Sequence, residues 1–357
     1  ASDDIKHGPV SALFTVDEET GLTGAFNLGE GMIRGRYLIN LDSEDEGEVF
    51  IGCAGGIDTV AQFKFEYETI PANYTTLEAR ISGLKGGHSG DNIGDGLGNS
   101  NRIMARLLFD GIINDDVLLC NFDGGNLRNA IPREAAAVIA VPNGKVSDFE
   151  RNFQALADSI KEELKDTDAG FAVSLAEQPK PAGTAIEKTA ARGLIRALAG
   201  VQNGVIEMSR SVAGLVQTST NLASVKIKDT TITVTTSQRS SVESEKIMAA
   251  RSVESVFALA GADVTHSEGY PGWTPDPNSG LLSITQQCYR SLFDAPCKVK
   301  AIHAGLECGL FLKKYPHLEM VSFGPTLRGV HSPDERLEIG TVDKFWRLLV
   351  AVLEQIR

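Results

Sequence analysis

Three places in the sequence combine acidic or histidine side chains in a way that could support metal-dependent chemistry. Glu18 and Glu19 follow the apolar run SALFTV, Asp42 ends the run RYLINLD, and His303 follows the run CKVKAI. Short apolar runs of this kind predict β-strands, so each of these residues is expected at a strand end. In open α/β sheets ligands bind outside the carboxyl ends of the strands, and we expect the side chains to converge there. Glutamate, aspartate and histidine together are suitable ligands for zinc or manganese.

The adjacent carboxylates of Glu18 and Glu19 predict a division of roles. One can bind a metal ion while its neighbour acts as general base toward a water molecule that the metal polarises. Each residue alone has a simpler alternative: the acidic triplet could be a solvated turn, Asp42 could form an Asx turn, and His303 could be structural. Their shared position at strand ends is what favours a metal site.

Four further side chains are candidates for a substrate pocket. His88 lies in the Gly-rich loop GLKGGHSGDNIG, where it could approach a ligand or simply be exposed. Arg239 in TSQRSS or Asn129 in LRNAIPRE could hold a substrate carboxylate, the arginine in bidentate fashion, although a surface position is the default for an arginine. His331 lies in the turn-rich segment GPTLRGVHSPDE. Surface positions are predicted for the histidines without a motif: His7, His266 and His317.

The composition limits the partners and the compartment. The 357 residues carry a formal net charge of −13, which argues against nucleic acid or an anionic membrane as the main partner. No apolar run approaches the ~18 residues that a membrane span needs. The five cysteines form no C-x-x-C pattern, and their odd number in a long chain favours a reducing compartment such as the cytoplasm.

The order of predicted elements indicates an α/β domain interrupted by a long α+β insertion. Short strands and a helical stretch fill residues 1–58, and α/β character returns over residues 269–357. Between them, residues 59–268 contain alternating, half-exposed strands and helices in the order ββαββα. A similar order recurs after the Pro-rich stretch AEQPKPAGTA, which predicts a second, related half of the insertion.

Seven segments resemble the signature segments of the bacterial aminoacyl-histidine dipeptidases, also called Xaa-His dipeptidases, of the dinuclear-zinc peptidase superfamily. They run in order from about residue 7 to the C-terminus: TVDEETGLTGA, LINLDSEDEGEVFIGCAGG, GLKGGHSGDN, GGNLRNAIPREA, GYPGWTPDPNS, IHAGLECGLF and GPTLRGVHSPDE. The resemblance implies hydrolysis of dipeptides in the cytoplasm, with a preference for C-terminal histidine, including β-alanyl-histidine. It also implies a zinc-peptidase α/β/α catalytic domain and a lid insertion with two related ferredoxin-like halves.

The resemblance also implies roles for individual residues. Glu18 would be the general base, Glu19 a ligand of one zinc ion and Asp42 a ligand of the other. His303 would complete the metal site with Glu19, and His88 in the lid would polarise the scissile carbonyl, acting within its own chain.

Further implied roles concern the substrate and the cofactor. Asn129 and Arg239 would hold the C-terminal carboxylate of the dipeptide, and His331 would also belong to the substrate side. Two Zn²⁺ ions would be bound, with Co²⁺ or Mn²⁺ as substitutes, and a homodimer is compatible with the resemblance.

One part of the family pattern is absent. Family members carry a His-x-Asp motif and a bridging aspartate upstream of the acidic triplet, and this sequence has neither. Roughly a hundred N-terminal residues with strands of the catalytic sheet are therefore expected to be missing, and the chain alone is expected to be inactive. Two other readings stay open: an N-acyl amino acid deacylase of the same superfamily, and an inactive binding protein that lacks the first metal ligands.

Overall fold

A computed structural model describes residues 5–18, 22–178, 183–329 and 334–356. Its strands are β1 (Tyr37–Asn40), β2 (Glu48–Cys53), β3 (Gly55–Lys64), β4 (Tyr67–Thr69), β5 (Tyr74–Ser82), β6 (Gly87–His88), β7 (Leu118–Gly124), β8 (Ala130–Ile131), β9 (Ala135–Pro142), β10 (Ala172–Glu177), β11 (Thr184–Ile186), β12 (Gly204–Met208), β13 (Val216–Lys228), β14 (Thr231–Ser240), β15 (Asp263–His266), β16 (Lys298–Ile302), β17 (Glu319–Ser322), β18 (Leu327–Arg328) and β19 (Arg336–Leu337). Its helices are α1 (Thr23–Phe26), α2 (Ser100–Asn114), α3 (Val146–Glu163), α4 (Lys188–Gly200), α5 (Glu243–Leu259), α6 (Gly280–Phe293), α7 (Glu307–Lys314) and α8 (Ile339–Gln355), with a 3-10 turn at Asn143–Lys145.

A four-stranded sheet combines strands from both ends of the described chain, in the order β1-β17-β2-β16. The β1–β17 and β2–β16 pairs are parallel, whereas β17 and β2 are antiparallel. The two outer strands, β1 and β16, therefore run in opposite directions. This mixed sheet confirms the α/β character of the chain ends, and it corrects the expectation that the strand ends at Asp42 and His303 converge.

Helices α6 and α8 pack together beside this sheet. Helix α6 begins where the Ser279 side chain accepts a hydrogen bond from the Leu282 N–H, which satisfies one of the free N–H groups of its first turn. Its buried face includes Leu281, Leu282 and Tyr289, at the spacing of one helix face. No described helix is long and apolar enough to cross a bilayer.

A nine-stranded antiparallel sheet forms the middle of the chain. Its main order is β10-β5-β9-β7-β13-β14-β3-β15, with β12 paired to β13. The first four strands with helices α2 and α3 read βαββαβ along the chain and have the ferredoxin-like strand order. The other four, with α4 and α5, follow the same scheme, so the two related halves are confirmed.

The two halves are interleaved along the chain rather than consecutive. Strand β3 pairs with β14 and β15 of the second half, although it precedes every strand of the first half. The predicted order ββαββα is therefore corrected: the first half is inserted directly after the first strand of the second. The halves meet where Gly124 of β7 pairs with Val225 of β13.

Residues 11–16 were expected to form a strand, and the structure corrects this prediction. No strand of the described chain pairs with them, and an apolar run forms a stable strand only when neighbours take its backbone hydrogen bonds. Phe14 is 89% exposed and Val16 69% exposed. The helical stretch expected after them is limited to α1, which has four residues.

Two large hydrophobic clusters separate along the predicted domain boundaries. One contains buried residues from Ala61 to Ala262, and the other contains residues from Ala25 to Cys53 and from Trp273 to Val352. We propose on this basis that residues 1–58 and 269–357 form one domain and that residues 59–268 form the inserted domain.

The core of the inserted domain supports a stability prediction. Phe257 on α5 is fully buried and makes an edge-to-face contact with Phe63, with the ring centroids 6.3 Å apart. The substitution Phe257→Ala is expected to lower the free energy of unfolding by about 3–5 kcal/mol in urea titrations, because it leaves a cavity. Leu259→Ala, on the same helix but 90% exposed, is the control and should change it by less than about 0.5 kcal/mol. Equal effects of the two substitutions would contradict the packing.

Candidate functional site

His303 follows β16 and is buried against the inserted domain. Its side chain is 6% exposed, and its Nε2 atom lies 2.7 Å from the hydroxyl oxygen of Ser219 on β13. The Nδ1 atom is buried with no hydrogen-bond partner among the described residues. Burial, followed by the charge of Arg239, lowers the pKa of His303 to about 4. The imidazole is therefore neutral near pH 7, and a hydrogen bond to the Val216 backbone only partly opposes the lowering of its pKa.

Arg239 lies beside this histidine in a position suited to an anion. It faces Ser219 in the β13–β14 register, so the two side chains project from the same face of the sheet. The guanidinium is 8% exposed, and its Nη1 donates a 2.9 Å hydrogen bond to the Tyr270 hydroxyl. Its Nε is buried without a partner among the described residues. A buried guanidinium with an unused donor can bind a carboxylate by donating a hydrogen bond to it.

The loop after β6 completes this group. His88 Nδ1 lies 3.2 Å from Asp91 Oδ2, and the hydrogen bond between them is the main reason that the pKa of Asp91 is below its ordinary value. The charge of Arg239 and the nearby His303 also act to lower that pKa, which places all four side chains in one electrostatic environment. A Cβ atom at Gly90 would lie 2.4 Å from the carbonyl oxygen of His303, so glycine is required for this close approach.

Asn129 contributes to the loop through its backbone. Its carbonyl oxygen accepts a 2.8 Å hydrogen bond from the Ser89 N–H, next to the pairing of His88 with Ala130. The residue itself is exposed. The structure therefore places Asn129 at the rim of the group formed by His88, Asp91, Arg239 and His303, which we call the carboxylate pocket.

A second group, which we call the acidic group, contains Glu307 and Asp42. Glu307 begins α7 and is 8% exposed; its Oε2 accepts a 2.9 Å hydrogen bond from Thr15, three residues before Glu18. Its Oε1 is buried without a partner among the described residues. Burial raises the pKa of Glu307, the Thr15 hydroxyl lowers it, and the negative charge of Asp42 raises it again. Acidic groups gathered in this way favour a cation.

The strands that precede Asp42 and His303 run in opposite directions, because β1 is parallel to β17, β16 is parallel to β2, and β17 and β2 are antiparallel. The described residues contain no group of three or more His, Cys, Asp or Glu side chains arranged to hold a metal ion. Glu19 and His331 lie outside the described residues. The metal-ligand roles of Glu19, Asp42 and His303 stay predictions.

The residues present nevertheless fit a hard or borderline cation on the acidic side. Asp42 and Glu307 provide oxygen atoms, one of them buried and unused, which is the donor chemistry that zinc and manganese accept. Glu18 is half-buried on the adjoining segment.

Several side chains of the site were not identified from the sequence. Asp91, Ser219, Tyr270 and Glu307 are recognised only from their tertiary contacts. The three-residue spacing of His88 and Asp91, and the acid that follows His303 by four residues, are the local signals that could have indicated two of them. The exposed positions of His7, His266 and His317 agree with the prediction of surface residues.

The carboxylate pocket and the acidic group lie where the α/β part meets the doubled sheet of the inserted domain. The model of peptidase family M20/M25/M40 matches residues 1–355, and the chain belongs to this family. It is 40% identical over 356 residues to the cytosol non-specific dipeptidase of Escherichia coli (strain K12), a match that covers 100% of this chain and 73% of that protein.

A solved structure gives the same result for the fold. The aminoacylhistidine dipeptidase from Vibrio alginolyticus superposes with a TM-score of 0.95 at 41% identity, covering 100% of this chain and 73% of that one. The mixed α/β fold is therefore that of a family M20 peptidase. The chain spans 73% of the length of each of these two relatives, and the comparisons give no support to the expected inactivity of the chain.

Proposed function

We propose that this protein is a metal-dependent dipeptidase that binds the free carboxylate of its substrate at Arg239. The observation that carries the proposal is the segment from His303 to Glu307, which joins the carboxylate pocket to the acidic group around Asp42. A short substrate could therefore place its carboxylate and its scissile bond in these two environments at once. The names of the two relatives support dipeptides as the substrates.

The chain supplies identifiable groups for each part of the reaction. Glu18 accepts a proton from the attacking water and returns it to the leaving amine, so that one C–N bond breaks and one C–O bond forms. Arg239 and the neutral His303 orient the carboxylate end of the substrate, and His88, which shares their electrostatic environment, polarises the carbonyl. Zinc ions held by Asp42 and Glu19 would lower the pKa of water and polarise the carbonyl.

Finer features are proposed on the same basis. We infer two Zn²⁺ ions with Co²⁺ or Mn²⁺ as substitutes, a preference for C-terminal histidine including β-alanyl-histidine, and a cytosolic location. The five cysteines are all free and buried, which agrees with a reducing compartment.

The test of the proposed function compares substrates on the zinc-loaded protein. Alanyl-histidine and other dipeptides should be hydrolysed with a higher kcat/KM than N-acetyl-histidine. A reversed order would support the N-acyl amino acid deacylase instead. Failure to hydrolyse either compound class would contradict both.

Substitutions in the acidic group and in the carboxylate pocket are expected to differ in their effect on zinc content. Asp42→Asn is expected to lower zinc affinity at least about tenfold, because it removes a charged oxygen ligand. His303→Ala is expected to retain zinc while raising KM, because His303 contacts Ser219 and its pKa is lowered by the charge of Arg239. Zinc is measured by elemental analysis after dialysis, with exposed His317→Ala as the control. Loss of zinc in His303→Ala would restore the ligand role predicted from the sequence.

A further inference from the structure

Tyr270 belongs to the segment GYPGWTPDPNSG, for which the reaction described above has no role. Its hydroxyl oxygen accepts the 2.9 Å hydrogen bond from Arg239 Nη1. Burial raises the pKa of Tyr270, and the charge of Arg239 only partly opposes this, so the hydroxyl keeps its proton near pH 7. The hydroxyl therefore accepts the hydrogen bond of the guanidinium as a neutral group.

The position of Tyr270 is fixed by its backbone. Its N–H donates to the Gly56 carbonyl at 2.8 Å, and its carbonyl accepts from the Gly56 N–H at 3.0 Å. Gly56 is in turn opposite Arg239 in the β3–β14 register. The same Tyr270 carbonyl accepts a 2.7 Å hydrogen bond from Lys246 Nζ, on a side chain that is 3% exposed. The segment after β15 is thereby tied to both strand β3 and helix α5.

The ring of Tyr270 lies between two glycines. A Cβ atom at Gly56 would come within 2.7 Å of the ring, and one at Gly305 within 2.9 Å. Any side chain at either position would displace the ring, and with it the hydroxyl that contacts Arg239. Gly305 lies between His303 and Glu307, so this slot is part of the segment that joins the carboxylate pocket to the acidic group.

We propose that Tyr270 is a positioning residue that holds Arg239 through Nη1, so that the unused Nε of the same guanidinium is presented to the free carboxylate of the substrate. The inference rests on the proposed function. A buried guanidinium that is held in place and keeps an unused donor discriminates strongly against a ligand that lacks the carboxylate charge. Tyr270 thus makes the protein selective for substrates with a free C-terminus.

The test is Tyr270→Phe, with alanyl-histidine and its C-terminal amide as probes. Kinetics on the zinc-loaded protein are combined with isothermal titration on the metal-free protein. For alanyl-histidine we expect KM and Kd to rise about tenfold while kcat changes less than about twofold. For the amide we expect no change in either constant. Tyr74→Phe is the matched control, because its hydroxyl donates to the Asp116 carbonyl, away from Arg239.

Two results would overturn the inference. One is an unchanged KM and Kd for alanyl-histidine in Tyr270→Phe. The other is an equal loss for alanyl-histidine and its amide, which would indicate a structural role only. Absence of turnover in the wild-type protein would instead contradict the proposed function, and the titration would still decide the role of Tyr270.

Discussion

Replacing Glu18 with glutamine is expected to lower kcat by about 10²–10⁴-fold while zinc stays bound, because the substitution removes a proton acceptor. Glutamine has nearly the same shape as glutamate but cannot take the proton of the attacking water. KM for alanyl-histidine should change little, since the carboxylate pocket is formed by other residues. Steady-state kinetics and zinc analysis on the same preparation measure both quantities.

The local structure explains why Glu18 should act from a fixed position. Asp17, directly before it, has φ 58°, a left-handed conformation that is uncommon for a residue other than glycine. The Asp17 carboxylate accepts a hydrogen bond from the Thr23 hydroxyl, and the Gly24 N–H donates to the Val16 carbonyl. Glu18 is thus presented by a tight turn that ties residues 16 and 17 to 23 and 24.

A matched control separates the catalytic role from a general loss of negative charge. Glu30→Gln removes the same charge from an exposed position and should leave kcat unchanged. If Glu18→Gln kept a kcat close to that of the wild type, the general-base assignment would be wrong. If it lost zinc as well, Glu18 would be a ligand.

The elements that depend on local sequence were predictable. The alternating burial of β5 and the apolar face of α3 follow from side-chain periodicity over a single segment. Strand pairing was not predictable, because it depends on residues that are far apart in the chain. Strand β3 pairs with β14 and β15, across the whole first half of the insertion. Residues 11–16 have the composition of a strand, and no described strand pairs with them.

The site, too, was predictable from the sequence only where it depends on local residue type. Arg239 and His88 could be identified from residue type and loop context, and the structure brings them into one electrostatic environment. The assignment of His303 to the metal depended on strand direction, which the sequence does not encode locally. Glu307 and Tyr270 acquire their roles only through the contacts with Thr15 and Arg239, each more than thirty positions away along the chain.

Replacing Arg239 with methionine should remove the selectivity of the protein for a free carboxylate. Methionine keeps much of the side-chain volume in this buried position but has neither the charge nor the donors. We expect KM for alanyl-histidine to rise about 100-fold, because a charge-assisted hydrogen bond in a buried site is lost. The ratio of kcat/KM between alanyl-histidine and its C-terminal amide should approach one.

Two further substitutions make this prediction specific. Arg239→Lys keeps a positive charge but cannot form a bidentate contact, so it should recover part of the affinity and less of the selectivity. Arg251→Met, at an exposed position on α5, removes the same charge and should leave KM unchanged. If Arg239→Met raised KM equally for alanyl-histidine and its amide, the guanidinium would support the fold of the pocket rather than bind the carboxylate. Preferential loss for the free acid would place the C-terminus of the substrate at Arg239, and the scissile bond would then lie toward Glu18.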